Sequence, residues 1–248
     1  MKQKIFNNLE IDNIYCLYLE KNKERKNNVL KEFEKANLQV EMFEGINHEN
    51  SATGCLLGHV NIVKDAKKNG YKNILIFEDD IEIKAKFPIN INVPKFDMFY
   101  FGYWDFDNCS VPIDNIYDNN NDINYNLMRL FYCRSTYAYI INEKLFDSVI
   151  GRENYNPVNN LFNIIDMFYC TYIQPRKQYS AYGLYPFIVT TKDRCMPAIE
   201  EKAKFSLENN KKDSKNFMNK IKSGEEFFHP RKKANPDTGY WPPDRYNW

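Results

Sequence analysis

Glycine is scarce, with 9 in 248 residues, which leaves little material for the glycine-rich loops that cradle phosphates in many nucleotide-binding folds. An excess of one charge is missing as well. The 34 basic residues face 33 acidic ones, a formal net charge of +1, so no global field attracts nucleic acid or an acidic membrane surface. No run approaches the ~18 consecutive apolar residues of a membrane span. The opening MKQKIFNNLEIDN holds no apolar stretch of the kind a secretory signal carries. The expectation from these absences is a cytoplasmic protein with no membrane span and no nucleic-acid partner. Cysteines stand at 16, 55, 109, 133, 170 and 195 without a CxxC pair, a pattern of reduced thiols more than of a zinc knuckle or a disulfide framework.

What is abundant is aromatic surface. Tyr and Phe number 18 each, and 43% of the chain is hydrophobic, enough for a real core. Short apolar runs alternate with segments of helical spacing. Residues 14–19 read as a buried strand. Asn22 caps a helix carrying Val29, Leu30, Phe33 and Ala36. Residues 40–43 read as a second strand, and Ser51 or Thr53 caps a helix with Leu56, Val60, Val63 and Ala66. Residues 73–77 (NILIF) form a third strand. Strand, helix, strand, helix, strand predicts an α/β fold with a mostly parallel central sheet.

Downstream, residues 96–102 and 131–141 read as strands, and Asn142 caps a helix running to Ile150. Residues 105–128, polar and Asn-rich, read as a surface insertion. Residues 178–191 read as extended, and 197–228 as charged and helical. The simplest partition is one domain over 1–196, with a helical segment and an aromatic, proline-rich tail over 197–248 packed on it. Tyr240, Trp241 and Trp248 in that tail are expected either to cover a site or to join a homo-oligomer contact.

The apolar third strand runs straight into Glu78-Asp79-Asp80. Ligands of open α/β sheets gather outside the carboxyl ends of strands. Carboxylates there hold divalent cations through hard oxygens, and such a cation neutralises a diphosphate leaving group. If the strand persisted through the triplet, Glu78 and Asp80 would share a side and Asp79 would face the other way. Asp166 is a second notable carboxylate, because an apolar stretch over 162–168 surrounds it and burial of an idle charge is costly.

Several segments together resemble glycosyltransferase family 25, which includes lipopolysaccharide-biosynthesis glycosyltransferases and collagen galactosyltransferases. Ile14-Tyr15-Cys16-Leu17-Tyr18-Leu19 followed by Arg25 resembles its opening. Thr53-Gly54-Cys55-Leu56-Leu57-Gly58-His59 is similar to its Gly-Cys…Ser-His segment, and Ile74 to Ile81 to its strand ending in Glu-Asp-Asp. Residues 97–102, 136–141 and Ile165-Asp166 resemble later blocks. Gly58 stands where the family usually has Ser, and Ala138 where Gly is common.

The resemblance spans roughly residues 13–190. It implies a GT-A-type nucleotide-sugar-binding sandwich, a UDP-sugar donor (UDP-galactose or UDP-glucose), a divalent cation such as Mn2+, a glycan or protein acceptor, and inversion at the anomeric carbon. Under it, Asp80 and Glu78 become cation ligands, with His229 as a further ligand by analogy of fold. Leu17, Arg25, His59, Glu78 and Asp79 become donor-site residues. Asp166 becomes the general base, with Asp105 as the alternative. Two other readings share the triplet: a metal-dependent nucleotidyltransferase or hydrolase, which would release pyrophosphate or hydrolyse its substrate, and a non-catalytic glycan-binding domain, which would lack metal-dependent UDP binding.

Overall fold

The structure is a computed structural model, and it describes residues 2–105, 110–153, 164–176 and 178–192. The chain opens with a short antiparallel hairpin, β1 (Gln3–Phe6) and β2 (Leu9–Ile11). The first apolar run forms β3 (Asn13–Tyr18). Helix α1 (Lys23–Lys35) follows from Asn22 and buries Val29 and Phe33, two of the residues whose spacing predicts it. Strand β4 (Glu41–Glu44) returns parallel to β3. Helix α2 (Ser51–Lys68) is capped by Asn50, whose side chain accepts the Thr53 amide at 3.1 Å, so the cap lies one residue before Ser51. Strand β5 (Asn73–Glu78) then pairs parallel to the other edge of β3.

After β5 come β6 (Ile81–Ile83), β7 (Met98–Tyr100), β8 (Trp104–Asp105), β9 (Ser110–Asp118), β10 (Ile123–Leu130), β11 (Cys133–Arg134) and β12 (Ala138–Asn142). The helix expected from Asn142 is a 3-10 turn, Glu143–Leu145, leading into α3 (Phe146–Ile150). Helix α4 (Ile165–Phe168) continues as a π-helical turn, Tyr169–Ile173. Strands β13 (Ala181–Tyr185) and β14 (Val189–Thr191) complete the described chain.

Eight strands form one sheet in the order β4-β3-β5-β12-β7-β13-β10-β9. The expected parallel unit is present as β4-β3-β5. The rest corrects the expectation of a mostly parallel sheet. Strand β12 lies antiparallel to both β5 and β7, and β10 lies antiparallel to both β13 and β9; only β7 and β13 add another parallel pair. Parallel neighbours need a crossover of a dozen or more residues, usually a helix. Between β5 and β12 no helix is found among the described residues, and β9 returns through a tight turn into β10.

That β9–β10 hairpin also replaces the surface insertion expected over 105–128. Its Asn-rich tip is a built turn in which Asp118 accepts the Asn120 and Asn90 amides and the Asn121 side chain, at 2.9, 3.2 and 2.6 Å. Asx side chains of this kind stabilise turns locally.

Alternation along the central strands divides the core into two faces. Tyr15, Leu17, Ile74, Ile76, Tyr139 and Ile141 join Leu56, Val60 and Val63 of α2 and Phe146 of α3. Ile14, Cys16, Leu75, Phe77 and Ile140 join Val29 and Phe33 of α1 and the N-terminal hairpin. Helices therefore cover both faces of the sheet beside β5. No helix among the described residues is long and apolar enough to cross a membrane.

Two small residues set how closely α2 approaches. A Cβ on Gly54 would lie 2.5 Å from the Ile46 carbonyl oxygen, and one on Gly58 would lie 2.8 Å from Leu17 Cδ1. Leu17 thus occupies the space that a side chain at 58 would need. Gly54→Ala places a methyl against backbone that cannot rotate away. It is expected to lower stability by about 1–3 kcal/mol, read as a lower midpoint in urea with unchanged slope. An unchanged midpoint would mean that α2 moves freely on the sheet.

Candidate functional site

Strand β5 places the acidic triplet. Ile74 and Ile76 face α2, so Glu78 continues their row and points at the same helix. There Glu78 Oε1 lies 3.3 Å from His59 Nε2 and accepts the Thr136 hydroxyl at 2.6 Å. The strand ends at Glu78, and the chain turns. Asp80 is therefore not paired with Glu78 across from Asp79, as a continued strand would require. Asp79 and Asp80 instead share the Arg25 guanidinium of α1: Nη1 lies 3.3 Å from Asp79 Oδ1 and 3.3 Å from Asp80 Oδ2. The turn is fixed from the far end of the described chain, since Asp80 O accepts the Lys192 amide at 2.9 Å and the Thr191 hydroxyl at 3.3 Å.

The three carboxylates are not equivalent. Burial, then the charges of Glu78 and Asp79, act against the pull of Arg25 and push Asp80 up to about 6. Burial also raises Asp79, with Arg25 opposing. Burial alone would raise Glu78 too, but His59, Thr136 and Arg25 more than offset it and hold Glu78 below the ordinary carboxylate range. The triplet thus contains one well-satisfied carboxylate and one, Asp80, whose negative charge is crowded by like charges.

His59 is fully buried. Its Nδ1 lies 2.9 Å from the Tyr139 hydroxyl, which lies 3.1 Å from the Tyr169 hydroxyl. With Glu78 ionised, the self-consistent assignment puts the imidazole proton on Nε2, with Tyr139 donating to Nδ1 and Tyr169 donating to Tyr139.

Asp166 opens α4, half-buried, with Oδ1 accepting the Met167 amide at 2.6 Å. Burial raises its pKa, Arg134 and the Met167 amide oppose the rise, and Glu78 adds to it. Asp166 is therefore within electrostatic reach of the triplet. Asp105 is fully buried on β8, where its carboxylate accepts the Ser110 amide at 3.1 Å and the Ser110 hydroxyl at 2.5 Å. Leu17 offers an apolar side chain near the end of β3, packed on α2. His229 and the whole of 197–248, including Tyr240, Trp241 and Trp248, lie outside the described residues.

The fold thus gathers Arg25, Glu78, Asp79, Asp80 and His59 at the carboxyl end of β5 and brings Asp166 into their field. Sequence reasoning missed the residues that support them. Thr136 binds Glu78 from the approach to β12, and nothing local marks it. Tyr139 was legible in principle, since alternation puts it on the α2 face with Ile141. Cys55 lies one helical turn before His59 on α2. A cleft of about 350 Å3 opens elsewhere, between the end of α1 and β6, and contains none of these residues. Of its charged groups, Glu32 holds Lys35 at 3.0 Å and Lys84 holds Glu82 at 2.7 Å. The crowded charges lie at the triplet, outside this cleft.

No protein-family model matches this chain, and neither does any curated protein. Solved structures with a related course of chain include A197 from STIV, 8% identical, over 75% of this chain and 91% of that one at a TM-score of 0.41. A glycosyltransferase involved in glycosylation of the major capsid of PBCV-1 is 13% identical, over 60% of this chain and 71% of that one at 0.35. A nucleoside-diphosphate-sugar pyrophosphorylase from Vibrio cholerae RC9 is 13% identical, over 79% of this chain and 81% of that one at 0.36. Likeness of this order says nothing of ligand or chemistry.

Proposed function

We propose that this chain is an inverting, metal-dependent glycosyltransferase of the family 25 type on a GT-A-type fold. It moves a hexose, galactose or glucose, from a UDP-sugar to a hydroxyl of a glycan or protein acceptor. The observation that carries this reading is the position of Glu78, Asp79 and Asp80. They stand at the carboxyl end of a central strand that runs parallel to β3, with a guanidinium between two of them.

A divalent cation fits the donor set. Asp80 carries a charge that its neighbours crowd, and both hydrogen bonds of Glu78 fall on Oε1, leaving Oε2 to a ligand. Asp80 would hold the cation through a hard oxygen, with Glu78, which turns toward α2, as its water-mediated partner. When bound, an ion of the Mn2+ class neutralises the diphosphate leaving group.

The chain's own residues do the rest. Arg25 adds positive charge beside the triplet for the diphosphate, and His59 and Thr136 fix Glu78. Leu17 supplies an apolar wall. Asp166, with a raised proton affinity, takes the proton of the acceptor hydroxyl. The hydroxyl oxygen forms its bond to the anomeric carbon as the bond from that carbon to UDP breaks on the opposite side, which inverts the centre.

Calorimetric titration of UDP with Mn2+ and with chelator tests the bridging role. Carboxylates and diphosphate repel until a cation lies between them, so affinity is expected to fall at least ~10-fold in chelator; equal affinity would remove the cation from the reading. A donor panel then tests the reaction. UDP release with a glycosylated acceptor is the expected product pair, and pyrophosphate release would mark a nucleotidyltransferase instead.

A further inference from the structure

We propose that Cys55, His59 and Glu78 form a binding site for a divalent transition-metal ion of the zinc class, separate from the hard-oxygen site at Asp80. One ligand atom from each residue lies within 4.8 Å of the other two. Tetrahedral zinc bonds of about 2.0–2.3 Å set ligand atoms roughly 3.3–3.7 Å apart. The His59–Glu78 pair is already 3.3 Å apart, so the adjustment left is at Cys55, whose ligand atom lies within 4.8 Å of both. Cys55 and His59 are four residues apart on α2, which puts them on one face of the helix one turn apart. Glu78 comes from the strand opposite. The three ligands thus sit on rigid elements on both sides of the gap.

The surroundings are those of a ligating histidine. His59 is fully buried, Nε2 points at the carboxylate, and Nδ1 is held at 2.9 Å by Tyr139, itself 3.1 Å from Tyr169. A second partner on the far ring nitrogen fixes the orientation and tautomer of metal-bound imidazoles. With metal on Nε2 the hydroxyl chain reverses, so that Nδ1–H donates to Tyr139 and Tyr139 donates to Tyr169.

The ligand set favours the same occupant. A hard cation such as Mn2+ or Mg2+ prefers oxygen alone, whereas a thiolate and an imidazole select zinc and its neighbours. Three protein ligands leave a fourth position for water or substrate, as in catalytic zinc sites. The site shares Glu78 with the proposed donor site but requires neither Asp79, Asp80 nor the nucleotide-sugar reading.

The test uses the full chain, freed of metal with chelator and titrated anaerobically with Co2+. The expected result is one Co2+ per chain with a thiolate-to-cobalt charge-transfer band, displaced by Zn2+ at equimolar concentration. Cys55→Ser should abolish the band and weaken Zn2+ binding at least ~100-fold, and Tyr139→Phe, which leaves the three ligands intact, should weaken it about 10–100-fold. Asp80→Asn should leave the band and the Zn2+ affinity unchanged while losing Mn2+-dependent UDP binding, so the two sites fail or stand separately. Circular dichroism checks that each variant folds, and protection of Cys55 from alkylation by Zn2+, read by mass spectrometry on the unsubstituted protein, covers the case in which one does not. Co2+ bound without a thiolate band, Zn2+ affinity unchanged in Cys55→Ser, or alkylation of Cys55 unaffected by Zn2+ would each overturn the proposal.

Discussion

Asp80→Asn is expected to lose at least ~1000-fold in turnover and yet melt at a higher temperature than the unsubstituted protein at pH 7.5. The loss follows from the proposed function, because an amide removes the charge that would hold the cation against the diphosphate, a stabilisation of several kcal/mol in the transition state. The gain in stability follows from linkage. The ordinary value of 3.8 for Asp80 is raised to about 6 in the fold, by burial and by Glu78 and Asp79 against Arg25. The folded chain thus holds this proton more tightly than the unfolded chain does. Stability falls as pH rises from about 4 to about 6, and the cost is fully present above about 6. Asn carries no charge and escapes it, for a gain of about 2–3 kcal/mol at the upper limit. Below about pH 4 the two proteins should melt together. The melts belong in chelator, since a bound cation would stabilise the unsubstituted protein by mass action. A variant that melts lower at pH 7.5 would show that Asp80 is kept for its ion pair with Arg25 rather than for a ligand.

The N-terminal half of this architecture was legible because local and global signals agree there. The run at 14–19, the stripe of Val29 and Phe33 and the NILIF strand each carry one clear period, and the resulting β4-β3-β5 unit is what helical crossovers dictate. The far half was not legible, because partners of a mixed sheet are chosen by tertiary packing. Nothing within Ala138–Asn142 says that it will insert between β5 and β7. The hairpin over 110–130 was hidden by its composition. Asp118 to Asp122 looks like a solvated insertion, but those Asx side chains are a turn, held by the Asp118 carboxylate and bridged to the 86–90 segment.

The candidate site divides in the same way. Three acidic residues in a row at the end of an apolar strand stand out in the amino-acid sequence alone. Their division of labour does not, because that depends on where the strand stops. Two more residues of β5 would have carried Asp80 back toward α2. The stop at Glu78 gives His59 one carboxylate and Arg25 the other two. The hydroxyls that support the site come from Thr136 just before β12, from β12 and from the turn after α4, segments remote in sequence, and only the assembled sheet brings them together.

Asp166→Asn is expected to lower turnover about 100- to 10,000-fold, the usual range for loss of a general base, while donor affinity changes by less than ~2-fold. The amide keeps the shape of the side chain and can still accept the Met167 amide, which the carboxylate accepts at 2.6 Å, so the α4 turn should survive. What it cannot do is take a proton from the acceptor hydroxyl. Donor binding should persist because the charges proposed for the diphosphate and its cation, Arg25 and Asp80, are untouched. The pH profile separates this role from a structural one. Burial and Glu78 raise Asp166 against the pull of Arg134 and the Met167 amide, so its protonation should draw the acid limb of kcat/KM above the ordinary carboxylate range. Activity is lost as pH falls through that limb, because the base must be ionised to act. In Asp166→Asn the residual rate should lose the part of the limb that Asp166 contributes. Asp166→Glu, which restores a carboxylate on a longer arm, should recover part of the rate where a merely structural side chain would not. Near-normal turnover in Asp166→Asn would place the base elsewhere. Asp105 is the next residue to substitute, although its carboxylate is buried and already accepts two hydrogen bonds from Ser110, a position from which it could reach an acceptor only after Ser110 let go.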